Sequence, residues 1–225
     1  VPDVVFAHDE EARRELVSTG IPADRLRVSG NLHHARLIRL ASEGDPDGSG
    51  LKARWGAAPD SQVVLFASEN SSEMKAHGRT FDWDEFSLVE RLIAHFENGR
   101  SMEPVDPGIR PVTIVIRPHP RDTEGKYDRY RREGIPSVVV SSAGTPPEAV
   151  LAADLVVGMV SAMLEEAKLL GRPAQSLLAE ECLATRWQNK IRQERFRNPF
   201  SPLQSEGPMT WIIAQDASCP KPPSR

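Results

Sequence analysis

Strand-like apolar runs recur along this chain and alternate with longer, helix-like stretches. The runs are "DVVFAH" (3–8), "DRLRVSGN" (24–31), "QVVLFAS" (62–68), "VTIVI" (112–116), "SVVVS" (137–141) and "LVVGM" (155–159), and each predicts a strand. Between them, "DEEARRELVSTG" (9–20) has the acidic start and glycine stop of a helix. "LHHARLIRLASEG" (32–44), "DWDEFSLVERLIAHFENG" (82–99), "YDRYRREG" (127–134), "TPPEAVLAAD" (145–154) and "SAMLEEAKLLG" (161–171) predict further helices. Strands that are apolar throughout, rather than at every second position, are buried on both faces, and helices between them supply the cover. The pattern predicts an α/β fold, a doubly wound parallel sheet.

Two stretches break the alternation. "GDPDGSG" (44–50) is turn and linker composition, so the reading is residues 1–43, a linker over 44–60, a main domain over 61–185, and a helix and tail over 186–225. In the tail, "TRWQNKIRQERFRNPF" (185–200) spaces Trp187 and Ile191 one helical turn apart among cations, and the proline-rich end predicts disorder.

Composition narrows the function. The 225 residues are 39% hydrophobic and 27% charged, as in globular domains with a sizeable core. A net charge of -4 argues against a general nucleic-acid binder, so any anion must be held by a local site. Cys182 and Cys219 are too few and too scattered for a disulfide framework or a zinc ribbon, and no stretch reaches the ~20 apolar residues of a membrane span. A reduced, cytoplasmic setting is expected. The chain opens "VPDVVFAHDEE" without an initiator Met, which reads as a piece of something longer.

In open parallel sheets, ligands sit beyond the carboxyl ends of the strands. Three segments follow such ends. "RPHPRD" (117–122) places Arg117, His119 and Arg121 in a proline-stiffened turn suited to a phosphate or diphosphate, or else a solvated turn whose arginines pair with Asp122 or Glu124. "GMVSAMLEEAKLLGRP" (158–173) puts Gly158 and Ser161 between a strand and a helix, so that the amides of Ser161, Ala162 and Met163 lie at a positive helix end. Glu165 or Glu166 could there accept two ribose hydroxyls, or both could merely complement the helix dipole. "ASENSSEMKAHGRT" (67–80) offers Lys75, His77 and Arg79 as ligand contacts or as plain polar surface. His33 and His34 read as ordinary helix residues. Fingerprints of dinucleotide-binding folds, P-loops, α/β-hydrolases and zinc proteases are absent, so neither a cofactor nor a metal is expected.

The order of "RVSGN", a linker, a strand ending in "RPHP", and "AADLVVGMVSAMLEEAKLLGRP" resembles the GT-B superfamily over roughly residues 3–185. It is similar to that family's C-terminal Rossmann-like lobe preceded by the last portion of the N-terminal lobe. Within that superfamily it is similar to UDP-N-acetylglucosamine 2-epimerases, CDP-glycerol glycerophosphotransferases, and capsule or sialic-acid transferases. The resemblance implies a nucleotide-activated sugar or polyol donor. The acid five positions before a Gly-x-Pro turn holds the ribose, which selects Glu166 before Gly171-Arg172-Pro173. It implies phosphate amides at Ser161, Ala162 and Met163, and a donor-phosphate or catalytic role for His119, with Arg117 and Arg121 beside it. Ser141 and Ser142 would border the base. Where epimerases carry Asp-Ser-Gly-Gly, this chain has Gly-Met-Val-Ser-Ala (158–162), which favours a transferase in cell-surface polysaccharide or glycoconjugate synthesis. An epimerase-like enzyme and a non-catalytic nucleotide-binding or interaction module stay open. The N-terminal lobe usually carries acceptor contacts, so this stretch alone is expected to be inactive. The basic segment around Trp187 and Arg195 allows two readings, peripheral contact with a membrane bearing a lipid-linked or glycan acceptor, or a helix packing back on the protein.

Overall fold

Five parallel strands, the inner ones buried along nearly their whole length, form the centre of the larger part of the molecule. They are β3 (Gln62–Ala67), β4 (Val112–Arg117), β5 (Ser137–Val140), β6 (Leu155–Gly158) and β7 (Ala174–Ser176), in the spatial order β5-β4-β3-β6-β7. The computed structural model describes residues 2–43, 48–72, 84–159 and 161–178. The described residues fall into two compact units, 2–43 and 48–178.

Alternation along the strands sorts side chains to two faces, as the pleat requires. Val64, Phe66, Ile114, Ile116, Val138, Val140, Leu155 and Val157 pack with Leu88, Val89, Leu92 and Phe96 of helix α4 (Glu85–Glu97). Val63, Leu65, Val115 and Val156 face the other way. There they meet Leu51 of α3 (Ser49–Arg54), Ala149, Val150 and Ala152 of α5 (Pro146–Ala152), and Ala167 of α6 (Ala162–Leu169). Both faces are therefore dry, which is why β3, β4 and β6 are dominated by consecutive apolar residues, with Gln62 and Thr113 as buried polar exceptions.

Helix starts follow from capping chemistry. Asp84 accepts the Ser87 amide at 2.8 Å at the head of α4, and Ser161 Oγ accepts the Met163 amide at 3.3 Å at the head of α6. The Gly-Arg-Pro turn is the end of α6. The Arg172 amide donates to the Ala167 carbonyl at 2.8 Å and the Gly171 amide to that of Lys168 at 3.1 Å. Gly171 sits at φ +70°, the left-handed conformation this double closure demands.

The smaller unit pairs β1 (Val5–Ala7) with β2 (Leu26–Val28) in parallel, with α1 (Glu10–Ser18) between them and α2 (Leu32–Glu43) after. Asp9 caps α1 by accepting the Ala12 amide at 2.6 Å.

The structure departs from the sequence reading in places. Segment 127–134 is not a helix: it makes one 3₁₀ turn, Asp128–Tyr130, and Arg132 then exchanges backbone hydrogen bonds with Val138 at 2.9 and 3.1 Å. That pairing needs extended backbone, and Tyr127, 1% exposed, is drawn into the core. Part of the expected linker is structured, since α3 and the buried Trp55 lie within it. The short edge strand β7, Ala-Gln-Ser, has no apolar run to announce it in the sequence. Lys75, His77, Arg79, Cys182, Trp187, Ile191, Arg195 and Cys219 lie outside the described residues. Among the described residues no helix is long and apolar enough to cross a membrane.

Candidate functional site

Strand order reverses at β3. From β3 the chain builds outward to β4 and β5, then returns to lay β6 and β7 on the other side. Parallel sheets leave a crevice at such a point, beyond the carboxyl ends of the strands. Ala67, the last residue of β3, is in register with Arg117 of β4 on one side and Gly158 of β6 on the other. The turn after β4 and the approach to α6 thus leave the same sheet edge, separated by two strand spacings, about 10 Å. Gly158 permits the close approach: a Cβ there would lie 3.0 Å from the Ala67 carbonyl oxygen.

The predicted cations have distinct situations. Arg117 is half-buried and donates from Nη1 to the Ala143 carbonyl at 3.1 Å and from Nη2 to the Gly144 carbonyl at 2.8 Å. Its guanidinium therefore fastens the loop between β5 and α5, a use the sequence did not suggest. Burial lowers its pKa, opposed by the nearby Glu148 carboxylate. His119 is half-buried and its Nδ1 accepts the Arg121 amide at 3.1 Å. Arg121 itself is exposed.

Around the predicted base-bordering segment, the Ser141 amide donates to the Ile116 carbonyl at 3.0 Å, and Ser141 Oγ accepts the Ala143 amide at 3.1 Å. Ser142 is exposed. The structure thus brings Arg117 together with the 141–144 loop, and His119 together with Arg121. Ser161, Ala162 and Met163 form the start of α6. Ser161 Oγ already accepts from Met163, so of the three expected phosphate amides that one has an intramolecular acceptor. Met163 is partly buried against the core. Glu165 and Glu166 are both half-buried on α6.

The sequence reading missed a buried ionic cluster beside the "RPHPRD" turn. Lys126 Nζ lies 2.6 Å from Glu85 Oε1 and 2.8 Å from Asp122 Oδ1; the side chains are 6% exposed for Lys126 and 0% for both acids. Glu85 also takes the hydroxyls of Ser71 and Ser72 and the Ser72 amide, while the Lys126 ammonium stands 5.4 Å from the ring centres of both Phe86 and Tyr127. Burial alone would raise the Glu85 carboxyl, but the hydrogen bonds from Lys126, Ser71 and Ser72 outweigh it and hold it at about 2. Tyr127 is pushed the other way, upward, chiefly by burial. It therefore stays protonated and shares a hydrogen bond with Ser68, whose Oγ lies 3.3 Å from Asp122 Oδ2.

Two carboxylates against one ammonium leave this cluster negative. An anion at the turn must therefore be drawn by Arg117, Arg121 and oriented N–H groups. The i,i+4 spacing of Asp122 and Lys126 was a visible signal, but Glu85 joins them only through the fold. Among the described residues no group of three His, Cys, Asp or Glu could hold a metal ion.

No family model and no curated protein sequence matches this chain. Solved structures do. A UDP-GlcNAc 2-epimerase from Methanocaldococcus jannaschii is 16% identical over 78% of this chain and 46% of its own, with a TM-score of 0.50. A UDP-N-acetylglucosamine 2-epimerase from Rickettsia bellii is 19% identical over 79% and 43%, with a TM-score of 0.46. The wall teichoic acid polymerase TagF is 11% identical over 80% and 40%, with a TM-score of 0.46. This chain spans less than half the length of each of these structures. The likeness is one of fold, and the fold is that of a Rossmann-like GT-B lobe.

Proposed function

We propose that the larger unit binds a nucleoside-diphosphate-activated sugar or polyol at the carboxyl edge of β3, β4 and β6, as the donor lobe of a GT-B-type transferase for cell-surface polysaccharide or glycoconjugate synthesis. The observation that carries this reading is the 117–122 turn. It leaves a fully parallel sheet next to the point where strand order reverses, and it holds His119 between two flanking cations.

In this reading the diphosphate meets His119 and Arg121, with Arg117 supplying a fixed positive field while it holds the 143–144 loop. Charge developing on the leaving diphosphate is stabilised by groups already in place, so little reorganisation is needed at the moment of transfer. Glu166 takes the ribose hydroxyls. The amides of Ser161 and Ala162 at the start of α6 add partial positive charge. Ser141 and Ser142 border the base. Acceptor contacts and a general base are to be supplied from outside this lobe.

A thermal-shift panel of UDP, CDP, CMP and GDP tests the reading. The expected result is stabilisation by at least one diphosphate, larger than that by CMP, with one base preferred. No shift with any of the four contradicts a donor-binding lobe.

A further inference from the structure

His119 sits in a turn anchored by a carboxylate. Asp122 Oδ2 accepts the His119 amide at 2.7 Å and the Ser68 hydroxyl at 3.3 Å, and Oδ1 accepts Lys126 Nζ at 2.8 Å. The Asp122 amide in return donates to the His119 carbonyl at 2.8 Å. The Asp122 side chain is 0% exposed, so a displaced carboxylate would lose these donors without gaining water. Residues 119–122 are thereby held in one backbone conformation. In it the Arg121 amide meets His119 Nδ1 at 3.1 Å. A ring nitrogen that accepts carries no hydrogen, so the single ring proton of the neutral imidazole is on Nε2.

We propose that Asp122 is a positioning residue that fixes His119 as the neutral Nε2–H tautomer, so that the turn offers one oriented ring N–H donor. The action runs from the Asp122 carboxylate to the backbone of the turn, from the Arg121 amide to Nδ1, and so to the opposite ring nitrogen. Lys126 and Glu85 extend the anchoring to α4, and Ser68 extends it to the end of β3. The ring thus enters the turn as a directed donor, with its direction set by the backbone around it. Only the use of that donor on a phosphate oxygen rests on the function proposed above; the tautomer is a property of the turn itself.

Long-range proton–nitrogen NMR of the imidazoles reads the tautomer without any ligand. At pH about 8, where an ordinary imidazole is neutral, wild-type His119, assigned by its loss in His119→Gln, should show an unprotonated Nδ1 and a protonated Nε2 as one species. Asp122→Asn should convert it to a mixture. If that variant fails to fold, the wild-type spectrum decides alone, because an Nδ1–H or mixed His119 there overturns the proposal. A folded Asp122→Asn protein with lower stability but an unchanged tautomer overturns it as well, since Asp122 would then only stabilise. Calorimetry with CDP, UDP and their nucleosides separates this from the functional reading. The advantage of diphosphate over nucleoside should fall several-fold in Asp122→Asn. Absence of diphosphate binding in the wild type, with the tautomer as described, refutes the donor role and leaves the positioning role standing.

Discussion

Arg117 Nη2 donates to the carbonyl of Gly144 at 2.8 Å, closing the loop after β5 onto the end of β4. A residue that reads in sequence as an anion ligand is therefore also a structural tie. The guanidinium has five N–H donors, and two of them are committed here.

Arg117→Met should accordingly destabilise the lobe even without ligand. Two half-buried carbonyls lose a charged donor, a cost of about 1–3 kcal/mol. Arg117→Lys should recover only part of it, because a single ammonium does not reproduce the planar fork. Urea unfolding midpoints of the three proteins check this. A midpoint for Arg117→Met equal to wild type would show that the tie carries no weight.

Glu85 gives the lobe an acid sensitivity of calculable sign. Its carboxyl falls from an ordinary 4.5 to about 2 on folding. The stabilisation is therefore fully present above about 4.5 and is lost as pH falls toward about 2. At 1.36 kcal/mol for each tenfold change, it amounts to about 3 kcal/mol. Glu85→Gln should be less stable at neutral pH and should show a flatter stability profile between pH about 5 and 2. Parallel profiles for wild type and variant would contradict the assignment.

The two acids of α6 make a controlled pair. Glu166→Ala should weaken binding of the preferred nucleoside diphosphate roughly 10- to 150-fold, the loss of hydrogen bonds to a charged acceptor. Glu165→Ala should change it little. Equal calorimetric affinities for the two variants would remove the ribose role from Glu166.

How much of this was legible in the sequence depended on whether a feature is local. The runs at 62–67, 112–116 and 155–158 announce strands because burial on both faces makes nearly every position apolar, Gln62 and Thr113 excepted. The Gly-Arg-Pro turn is likewise local: a left-handed glycine and a proline end a helix wherever they occur. Segment 127–134 misled because its charged residues suit a helix, while a distant strand residue, Val138, claims its backbone. The site divides the same way. That Arg117, His119 and Arg121 leave a sheet edge follows from their place after a strand. That Arg117 turns to the 143–144 loop, and that Asp122 shares Lys126 with Glu85, are products of tertiary pairing. In the sequence those acids look like solvated polar residues, because nothing local reveals that they are buried.

In the function proposed above, the 117–122 turn binds the diphosphate of an activated donor through His119. Calorimetric titration of wild type and His119→Ala with the preferred nucleoside diphosphate and its nucleoside, at two salt concentrations, isolates that contact. Wild type should bind the diphosphate at least about tenfold more tightly than the nucleoside, as one charge-assisted hydrogen bond would give. This gap should shrink as salt screens the cations. His119→Ala should narrow the gap while nucleoside affinity stays nearly constant. A gap of the same size in wild type and His119→Ala would contradict the claim and reduce His119 to a residue that shapes the turn.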